Sequence, residues 1–284
     1  WSLLDVRALA RLMTETMPWG QLHHNIDTGH IHALAVACLE VGTGRTVVFA
    51  ETSPDVHFRP TRDPSRSGRT ARITAEHILA STALPFLFPP RRIDGAWFSD
   101  GGLRFNTPLA PALRLGAERV VVISLLHDRT DEGPKAPPAE FPSPSFLAGK
   151  MLNALLLDPL VHDIQVMDRF NAMIDVLHEV LEDDEMARVD AVIAERRGLP
   201  YRKVERLVFR PSADIGELAA TYVRQLSSRR PATALLTRAM HMGETTESDL
   251  LSFLLFDKAF VEPLLELGYA DGIANGEAIA RFFA

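Results

Sequence analysis

The triplet Asp100-Gly101-Gly102 constrains the fold more than any other feature of the sequence. A short apolar run at residues 95–99 precedes it and is typical of a β-strand, and a helix pattern follows with Pro108 in its first turn. The strand therefore ends at Asp100, and the glycines permit a sharp turn that lets the carboxylate project into a crevice. Active sites of open α/β sheets form at the carboxyl ends of strands. Taken alone, an aspartate followed by glycine is most often only a turn.

The neighbouring segments predict the sheet around this triplet. Residues 31–41 and 45–51 have strand patterns, and Gly42-Thr43-Gly44 between them indicates a hairpin, so the sheet is not purely parallel. Residues 118–126 form a nearly continuous apolar run, as expected for a strand that is buried on both faces. We therefore expect an α/β fold: a mostly parallel sheet with helices on both faces, followed by a helical extension.

The remaining segments set the domain organisation. Residues 3–17 have helical spacing and end at Pro18, and a short polar stretch follows them. Residues 58–72 read as a polar loop, and Thr74 is placed to cap a short helix that runs through Ala80. The prolines within residues 80–90 predict a fixed extended connector. We expect an α/β region at residues 1–130, a proline-rich loop at 131–145 and a mainly helical region at 146–284.

Composition excludes several classes of protein. The formal net charge of −7 argues against general nucleic-acid binding, which requires a basic excess. Cys38 is the single cysteine, so no intrachain disulfide can form, and its apolar surroundings indicate a buried hydrophobe. No apolar stretch approaches the length that spans a bilayer. We expect a cytoplasmic protein or one peripheral at a membrane, although a signal peptide before Trp1 would not be visible.

Three motifs in one order resemble a known family. The motifs are the segment Ala80-Ser81-Thr82-Ala83-Leu84-Pro85-Phe86-Leu87-Phe88-Pro89-Pro90, the triplet Asp100-Gly101-Gly102, and Asn106-Thr107-Pro108-Leu109. Together they resemble the A-S-x-A-x-P-x-x-F-x-P segment, the D-G-[GA] motif and the N-x-P-[LI] motif of the patatin-like phospholipases. The opening helix and hairpin, and segments near residues 153–158 and 248–253, are similar to bacterial members with a helical C-terminal extension.

This resemblance implies a three-layer α/β/α fold and a Ser–Asp dyad that hydrolyses acyl esters of lipids. It also implies that residues 1–130 are the C-terminal part of a patatin-like catalytic domain. Asp100 would be the general base, which takes the serine proton directly without a histidine between them. Gly101, Gly102, Pro85 and Phe88 would shape the site or contact the substrate. The resemblance implies neither a cofactor nor a metal ion.

The sequence departs from the family at one point. The family's serine lies in G-x-S-x-G, preceded by a glycine-rich oxyanion loop, and neither motif occurs in the 284 residues. Both precede the opening helix in the family, so we expect them upstream of Trp1. The other account is an inactive, non-catalytic lipid-binding or regulatory module. A third hypothesis keeps the dyad but assigns it to acyl transfer or thioester hydrolysis.

The expected partners follow from the same resemblance. They are a lipid or acyl-ester substrate, transient contact with a membrane surface, and either the upstream segment of the same protein or a second copy of the chain. Arginines between Arg59 and Arg72 could meet anionic headgroups, although a solvated loop explains them better.

Other candidate side chains carry less weight. His30 and His32 alternate along a strand but lack a third metal ligand, and His23 and His24 are expected at the surface or in caps. Ser124 lies in a buried strand pattern without elbow glycines, so it is a poor nucleophile.

Overall fold

A computed structural model describes most of the chain as two compact units. The described residues are 6–58, 63, 65–85, 87–103, 109–127, 147, 149–152, 154, 158–197, 200–229, 252 and 255–284. The first unit comprises Trp1–Glu118 and Asp163–Val204, and the second comprises Arg119–His162 and Glu205–Ala284. The predicted proline-rich loop and residues 106–108 of the third motif lie outside the described residues.

A five-stranded sheet forms the centre of the first unit. Its strands are β1 (Ala33–Glu40), β2 (Arg45–Thr52), β3 (Arg66–Thr70), β4 (Arg91–Ile93) and β5 (Ala96–Asp100), in the spatial order β3-β2-β1-β5-β4. The predicted hairpin is confirmed as β1–β2. The prediction missed β3, which lies in a segment too rich in arginine, serine and glycine to show a strand pattern. As an edge strand, β3 does not need the apolar alternation of a buried one.

The sheet is mixed, so the prediction of a mostly parallel sheet is wrong for the described strands. Within this five-stranded sheet, β2 and β3 pair in parallel, whereas β1–β2, β1–β5 and β4–β5 are antiparallel. The reason is local. Both β1–β2 and β4–β5 are joined by tight turns, and a tight turn can only connect antiparallel neighbours. In the second of these turns, Asp94 and Gly95 have φ values of 48° and 86°, as hairpin turns require.

Residues that lie opposite each other in the register share a face of the sheet. Cys38 on β1 lies opposite both Val47 on β2 and Asp100 on β5, so these three side chains share one face. That face carries the buried core of the unit, which is made by Val36, Cys38, Val47, Phe49, Ile73, Ala80, Ile93 and Phe98. The core therefore lies between this face and the helix that contributes Ala80.

Helices cover both faces and give the expected three layers. Helix α3 (Ala75–Ser81) packs on the face of Cys38, where it contacts β1, β4 and β5. On the opposite face, Val48 lines a shallow depression together with Ala110 and Pro111 of α4 (Leu109–Arg114). Gly116, with φ at 96°, follows the end of α4, where a left-handed glycine commonly terminates a helix.

Two helices open the chain where the sequence predicted one. Helix α1 (Arg7–Glu15) confirms the first, but the stretch expected to be irregular is a second helix, α2 (Trp19–Asp27). Pro18 follows α1 and is the N-cap residue of α2, where its missing N–H costs the helix no hydrogen bond. Ile26 is the single residue of α2 that is buried, so the helix has little apolar periodicity to reveal it.

The connector between α3 and β4 contains a turn rather than an extended segment throughout. The amides of Leu87 and Phe88 both donate to the carbonyl of Leu84, at 3.2 and 2.9 Å. Pro85 stands directly after Leu84, where its fixed φ suits the second position of a turn. The prolines thus exclude a helix, as predicted, but they bend the chain.

Further helices follow β6 (Arg119–Ile123) in the chain. Helices α5 (Asp158–Val180) and α6 (Asp183–Arg197) fall mostly in the first unit, and α7 (Ile215–Arg229), α8 (Lys258–Ala274) and α9 (Gly276–Phe283) belong to the second. In the second unit, Ala219 and Val223 of α7 form a small core with Phe260 of α8. The predicted helical extension is therefore present.

A parallel pair of strands, β6 (Arg119–Ile123) and β7 (Glu205–Phe209), completes the second unit. Val120 and Val122 are buried, whereas Val121 and Ile123 are 43% and 80% exposed. The prediction that this strand is buried on both faces is therefore wrong. Its side chains alternate between a covered and an uncovered face, as they do in a sheet that is packed on one side only.

Candidate active site

Asp100 is the last residue of β5, at the carboxyl end of the strand. A single 3₁₀ turn, Gly101–Leu103, follows it directly. Antiparallel pairing with β1 places the Cα of Asp100 opposite that of Cys38, so the carboxylate lies on the core face beside a fully buried thiol. The predicted order of strand, aspartate and glycine turn is thus present.

Backbone groups fix the position of Asp100 on two sides. Its amide donates to the carbonyl of Ala83, just beyond α3, at 2.9 Å. Its Oδ1 accepts the amide of Gly102 at 2.7 Å. The first bond ties the end of β5 to the helix layer, and the second holds the carboxylate over its own turn. Asp100 therefore presents a preorganised carboxylate.

Gly101 is required by the close approach of β1. A Cβ atom on Gly101 would lie 2.5 Å from the carbonyl oxygen of Ala37 and 2.7 Å from its carbonyl carbon. Both are backbone atoms of a paired strand and cannot move aside without breaking the ladder. Glycine at this position is therefore a steric necessity, and it lets the chain turn immediately after Asp100.

Burial shifts the pKa values of both Asp100 and Cys38. Removal from water raises the pKa of Asp100 to about 6, against the lowering effect of the hydrogen bond from Gly102. Burial also raises the pKa of Cys38 to about 12, and the neighbouring charge of Asp100 adds to that rise. The thiol consequently stays neutral, while the carboxyl titrates close to neutral pH.

The other predicted site residues lie in the chain on either side of Asp100. Pro85 and Phe88 are half-buried and belong to the turn that begins one residue after Ala83. Gly102 is half-buried and supplies the amide to Asp100. Because the carbonyl of Ala83 accepts the Asp100 amide, the turn that begins at Leu84 is attached to the end of β5. The roles of Pro85 and Phe88 towards a substrate stay predictions.

Sequence reasoning missed His77, a buried residue of α3. His77 is 6% exposed, and its ring meets Phe49 edge-on at 4.7 Å between centroids. Its Nδ1 accepts the amide of Thr74 at 3.1 Å and lies 2.9 Å from the Thr74 hydroxyl. In the described part of the chain, its Nε2 has no hydrogen-bond partner. Its position three residues after the capping threonine was the available signal.

A second buried carboxylate, that of Glu51 on β2, contacts both α2 and Ile73, the residue before Thr74. Glu51 is 7% exposed, and its Oε1 lies 2.8 Å from Nδ1 of His23. The other carboxylate oxygen accepts the amide of Ile73 at 2.7 Å. The expectation that His23 is a surface residue is therefore wrong. Glu51 gives two buried donors an acceptor each, which makes this group a structural clamp.

The weaker candidates have structural roles in the described residues. Arg66, Arg69 and Arg72 each lie within 4 Å of a carboxylate, that of Asp63, Glu40 and Asp27 respectively. Ser124 is 6% exposed, and its hydroxyl accepts the amide of Leu126. His30 contacts Thr28, and no group of three or more potential metal ligands gathers among the residues that the structure describes.

A shallow depression, open to solvent, lies between β2, β3 and α4. Val48, Gly68 and Pro111 contribute to its mainly apolar lining. Because Val48 lies on the face opposite Cys38 and Asp100, this depression is on the other side of the sheet from the carboxylate. It therefore does not belong to the candidate site.

Together, the layers and the site define a class: an α/β protein with a desolvated carboxyl group at the carboxyl end of a strand. Residues 1–113, which hold Asp100, Gly101, Gly102, Pro85 and Phe88, match the family model of the patatin-like phospholipases. A search of the curated proteins found no significant match. In the described residues, no helix is both long and apolar enough to cross a membrane.

Proposed function

We propose that the protein hydrolyses acyl esters of lipids, with Asp100 as the general base of a Ser–Asp dyad. The observation that carries this proposal is the state of Asp100. It ends a strand, its position is fixed by Ala83 and Gly102, and burial raises its pKa to about 6. General bases work best when their pKa lies near the operating pH. The match of residues 1–113 to a family of lipid acyl hydrolases supports the same chemistry.

The reaction needs one group that the 284 residues do not offer in its usual setting, an elbow serine. We infer that this serine comes from a segment outside these residues. Asp100 would take the proton from its hydroxyl as the oxygen attacks the ester carbonyl. The protonated carboxyl would then return the proton to the leaving alkoxide. In the second half, Asp100 would deprotonate the water that attacks the acyl-serine ester, and would return that proton to the serine oxygen as the carboxylic acid leaves.

A fluorophosphonate probe, which labels activated serines covalently, tests this proposal. The protein is expressed from its complete reading frame, including any residues encoded before Trp1, and the labelled peptide is mapped by mass spectrometry. We expect one labelled serine in a G-x-S-x-G elbow upstream of Trp1. Hydrolysis of a chromogenic short-chain ester should accompany labelling.

Substitution of the base completes the test. Asp100→Asn keeps the shape and the bond from Gly102 but cannot accept the serine proton, so labelling and turnover should fall by about 10²–10⁴-fold. Asp55→Asn at an exposed turn is the matched control and should change neither rate. Near-normal turnover of Asp100→Asn would exclude Asp100 as the base, and a complete absence of labelling would favour a non-catalytic lipid-binding module.

A further inference from the structure

His77 occupies an unusual place at the start of α3. Thr74 is the extended residue that caps the helix, and His77 stands three residues later, where a glutamate or glutamine commonly reaches back to the cap amide. Here the imidazole performs that task, because Nδ1 accepts the Thr74 amide at 3.1 Å. An imidazole nitrogen can accept only when it carries no proton. The cap therefore depends on the neutral form of His77.

The surroundings of the ring oppose a second proton. His77 is 6% exposed and packs edge-on against Phe49, and in the described residues its Nε2–H has no acceptor. Burial lowers the pKa of His77, although three carboxylates act in the opposite direction. The charged and titratable groups on the elements around it are Glu76 on α3, paired with Arg91 of β4, then Glu51 on β2, Asp94 in the β4–β5 turn, Cys38 on β1, Asp100 on β5, and the exposed Arg7, Arg11 and Glu15 of α1.

Helix α3 is in turn the support of Asp100. The carbonyl of His77 accepts the thiol of Cys38 at 3.7 Å, and Cys38 lies opposite Asp100 in the β1–β5 register. At the other end of the helix, the carbonyl of Ala83 accepts the Asp100 amide at 2.9 Å. The helix packs on β1, β4 and β5. Any loosening of α3 therefore affects the end of β5 through two contacts, the one at Cys38 and the one at Ala83.

We propose that His77 is a positioning residue for Asp100 that acts only when neutral, so that its protonation releases the start of α3 and loosens the backbone that holds the carboxylate. The consequence for catalysis rests on the proposed function, but the conformational change does not. Protonation replaces an N···H–N hydrogen bond at Thr74 with two opposed N–H donors and leaves an imidazolium in an apolar site.

The direction of the pH effect follows from the lowered pKa. A histidine whose pKa is lower in the folded state stabilises the fold fully above its ordinary pKa of roughly 6.5. That contribution is lost as the pH falls through this value towards the lower pKa of the folded state. The structure around α3 should therefore loosen in mild acid, in the same range in which Asp100 itself becomes protonated.

Hydrogen–deuterium exchange at pH 5.0 and 7.5, corrected for intrinsic exchange rates, tests the proposal on the 284-residue chain. We expect protection of peptides covering residues 74–84 and 96–102 to fall together at pH 5.0, by about tenfold for each unit of pKa lowering. Peptides from β2 and β3 are the internal control and should keep their protection, which distinguishes local release from general acid unfolding.

Two variants make the test specific to the imidazole. His77→Gln supplies an acceptor that does not titrate, so the acid-induced loss of protection should disappear while protection at pH 7.5 stays. His24→Gln, at an exposed position of α2, is the matched control and should behave like the unsubstituted chain. Equal acid sensitivity in His77→Gln, or loosening of residues 74–84 without residues 96–102, would overturn the proposal. A histidine titration by NMR on the unsubstituted chain decides the matter if His77→Gln fails to fold, since an ordinary pKa for His77 would also overturn it.

The pH dependence of kcat/KM separates this inference from the proposed function. If the protein from the complete reading frame hydrolyses esters, log(kcat/KM) should rise with pH on its acid side with a slope of two, because two groups must lose a proton. For His77→Gln the slope should be one. A slope of one in both the unsubstituted protein and His77→Gln would count against the role of His77. If no ester is hydrolysed, the proposed function fails, while the exchange experiment still decides the conformational effect.

Discussion

Cys38 and Asp100 face each other across the antiparallel β1–β5 pair, and burial raises the pKa of both side chains. Only one of the two can carry charge near neutral pH, because the pKa of the thiol is about 12 and that of the carboxyl about 6. The charge of Asp100 in turn disfavours a thiolate beside it. The fold thus places its desolvated carboxylate against a neutral, non-competing neighbour, and several testable consequences concern this pair and its supports.

The thiol of Cys38 should be inert in the native protein. It is 0% exposed, and its raised pKa leaves essentially no thiolate at pH 8. We expect no reaction with a dithiodipyridine reagent over hours at pH 8, followed by one equivalent after unfolding in guanidinium. Rapid reaction without denaturant would show that β1 opens in the native state, and would contradict the packing of Cys38 under α3.

Ionisation of Asp100 should destabilise the fold at neutral pH. A carboxyl whose pKa is raised on folding stabilises the fold fully below its ordinary pKa, and this contribution is lost as the pH rises through about 6. Asp100→Asn removes that cost, so it should raise the free energy of unfolding at pH 7.5 by on the order of 2–3 kcal/mol.

Thermal unfolding at pH 7.5 and pH 4 checks this expectation. The stabilising effect of Asp100→Asn should largely vanish at pH 4, where the native aspartic acid is already neutral, and Asp55→Asn should show little effect at either pH. A lower melting temperature for Asp100→Asn at pH 7.5 would contradict a desolvated carboxylate. Stabilisation together with lost activity is the combination expected at a functional site.

Gly101→Ala should be strongly destabilising, because its Cβ would lie 2.5 Å from the carbonyl oxygen of Ala37. Strand β1 is paired on both sides and cannot retreat, so we expect a loss of about 1–3 kcal/mol in urea denaturation. Gly42→Ala in the β1–β2 turn is the matched control, since a Cβ there meets nothing within 4 Å. Equal stability of the two variants would mean that the turn after Asp100 is looser than described.

The clamp at Glu51 should matter more than a surface ion pair. Glu51→Ala leaves the buried His23 ring and the Ile73 amide without their acceptor, which typically costs about 2–5 kcal/mol. The comparison is Glu118→Gln, which removes an ion pair with Arg202 whose side chains are 58% and 65% exposed, and which should leave the melting temperature nearly unchanged. Similar effects of both substitutions would argue against a structural clamp.

The sequence predicted the parts of this fold whose signal is local. The hairpin turn, the capping Thr74 and the end of β5 at Asp100 each depend on a few consecutive residues, and each is present. Their order also carried the family resemblance, which the match over residues 1–113 confirms. The pKa of Asp100, by contrast, depends on burial by distant segments and was not predictable from its neighbours in sequence.

The errors have a common physical origin in tertiary contacts. Helix α2 buries only Ile26, and β3 is an arginine-rich edge strand, so neither shows the periodicity from which elements are predicted. The expected mostly parallel sheet came from the fold class, and the two tight turns contradict it locally. His77 was missed because an imidazole replaces the usual glutamate or glutamine three residues after Thr74, and because the ring of Phe49 meets it only in the folded chain.

The last prediction isolates Asp100 as the base through the pH dependence of kcat/KM. In His77→Gln made from the complete reading frame, only Asp100 should titrate on the acid limb. Activity should therefore rise tenfold per pH unit below a midpoint of about 6 and level off above it, since the carboxylate is the active form. His24→Gln in the same background should leave the curve unchanged. A midpoint near 4, the ordinary value for an aspartic acid, would show that Asp100 is solvated in the working enzyme. Activity that falls as the pH rises through 6 would mean that the protonated carboxyl is the active form, and would overturn the role of Asp100 as a base.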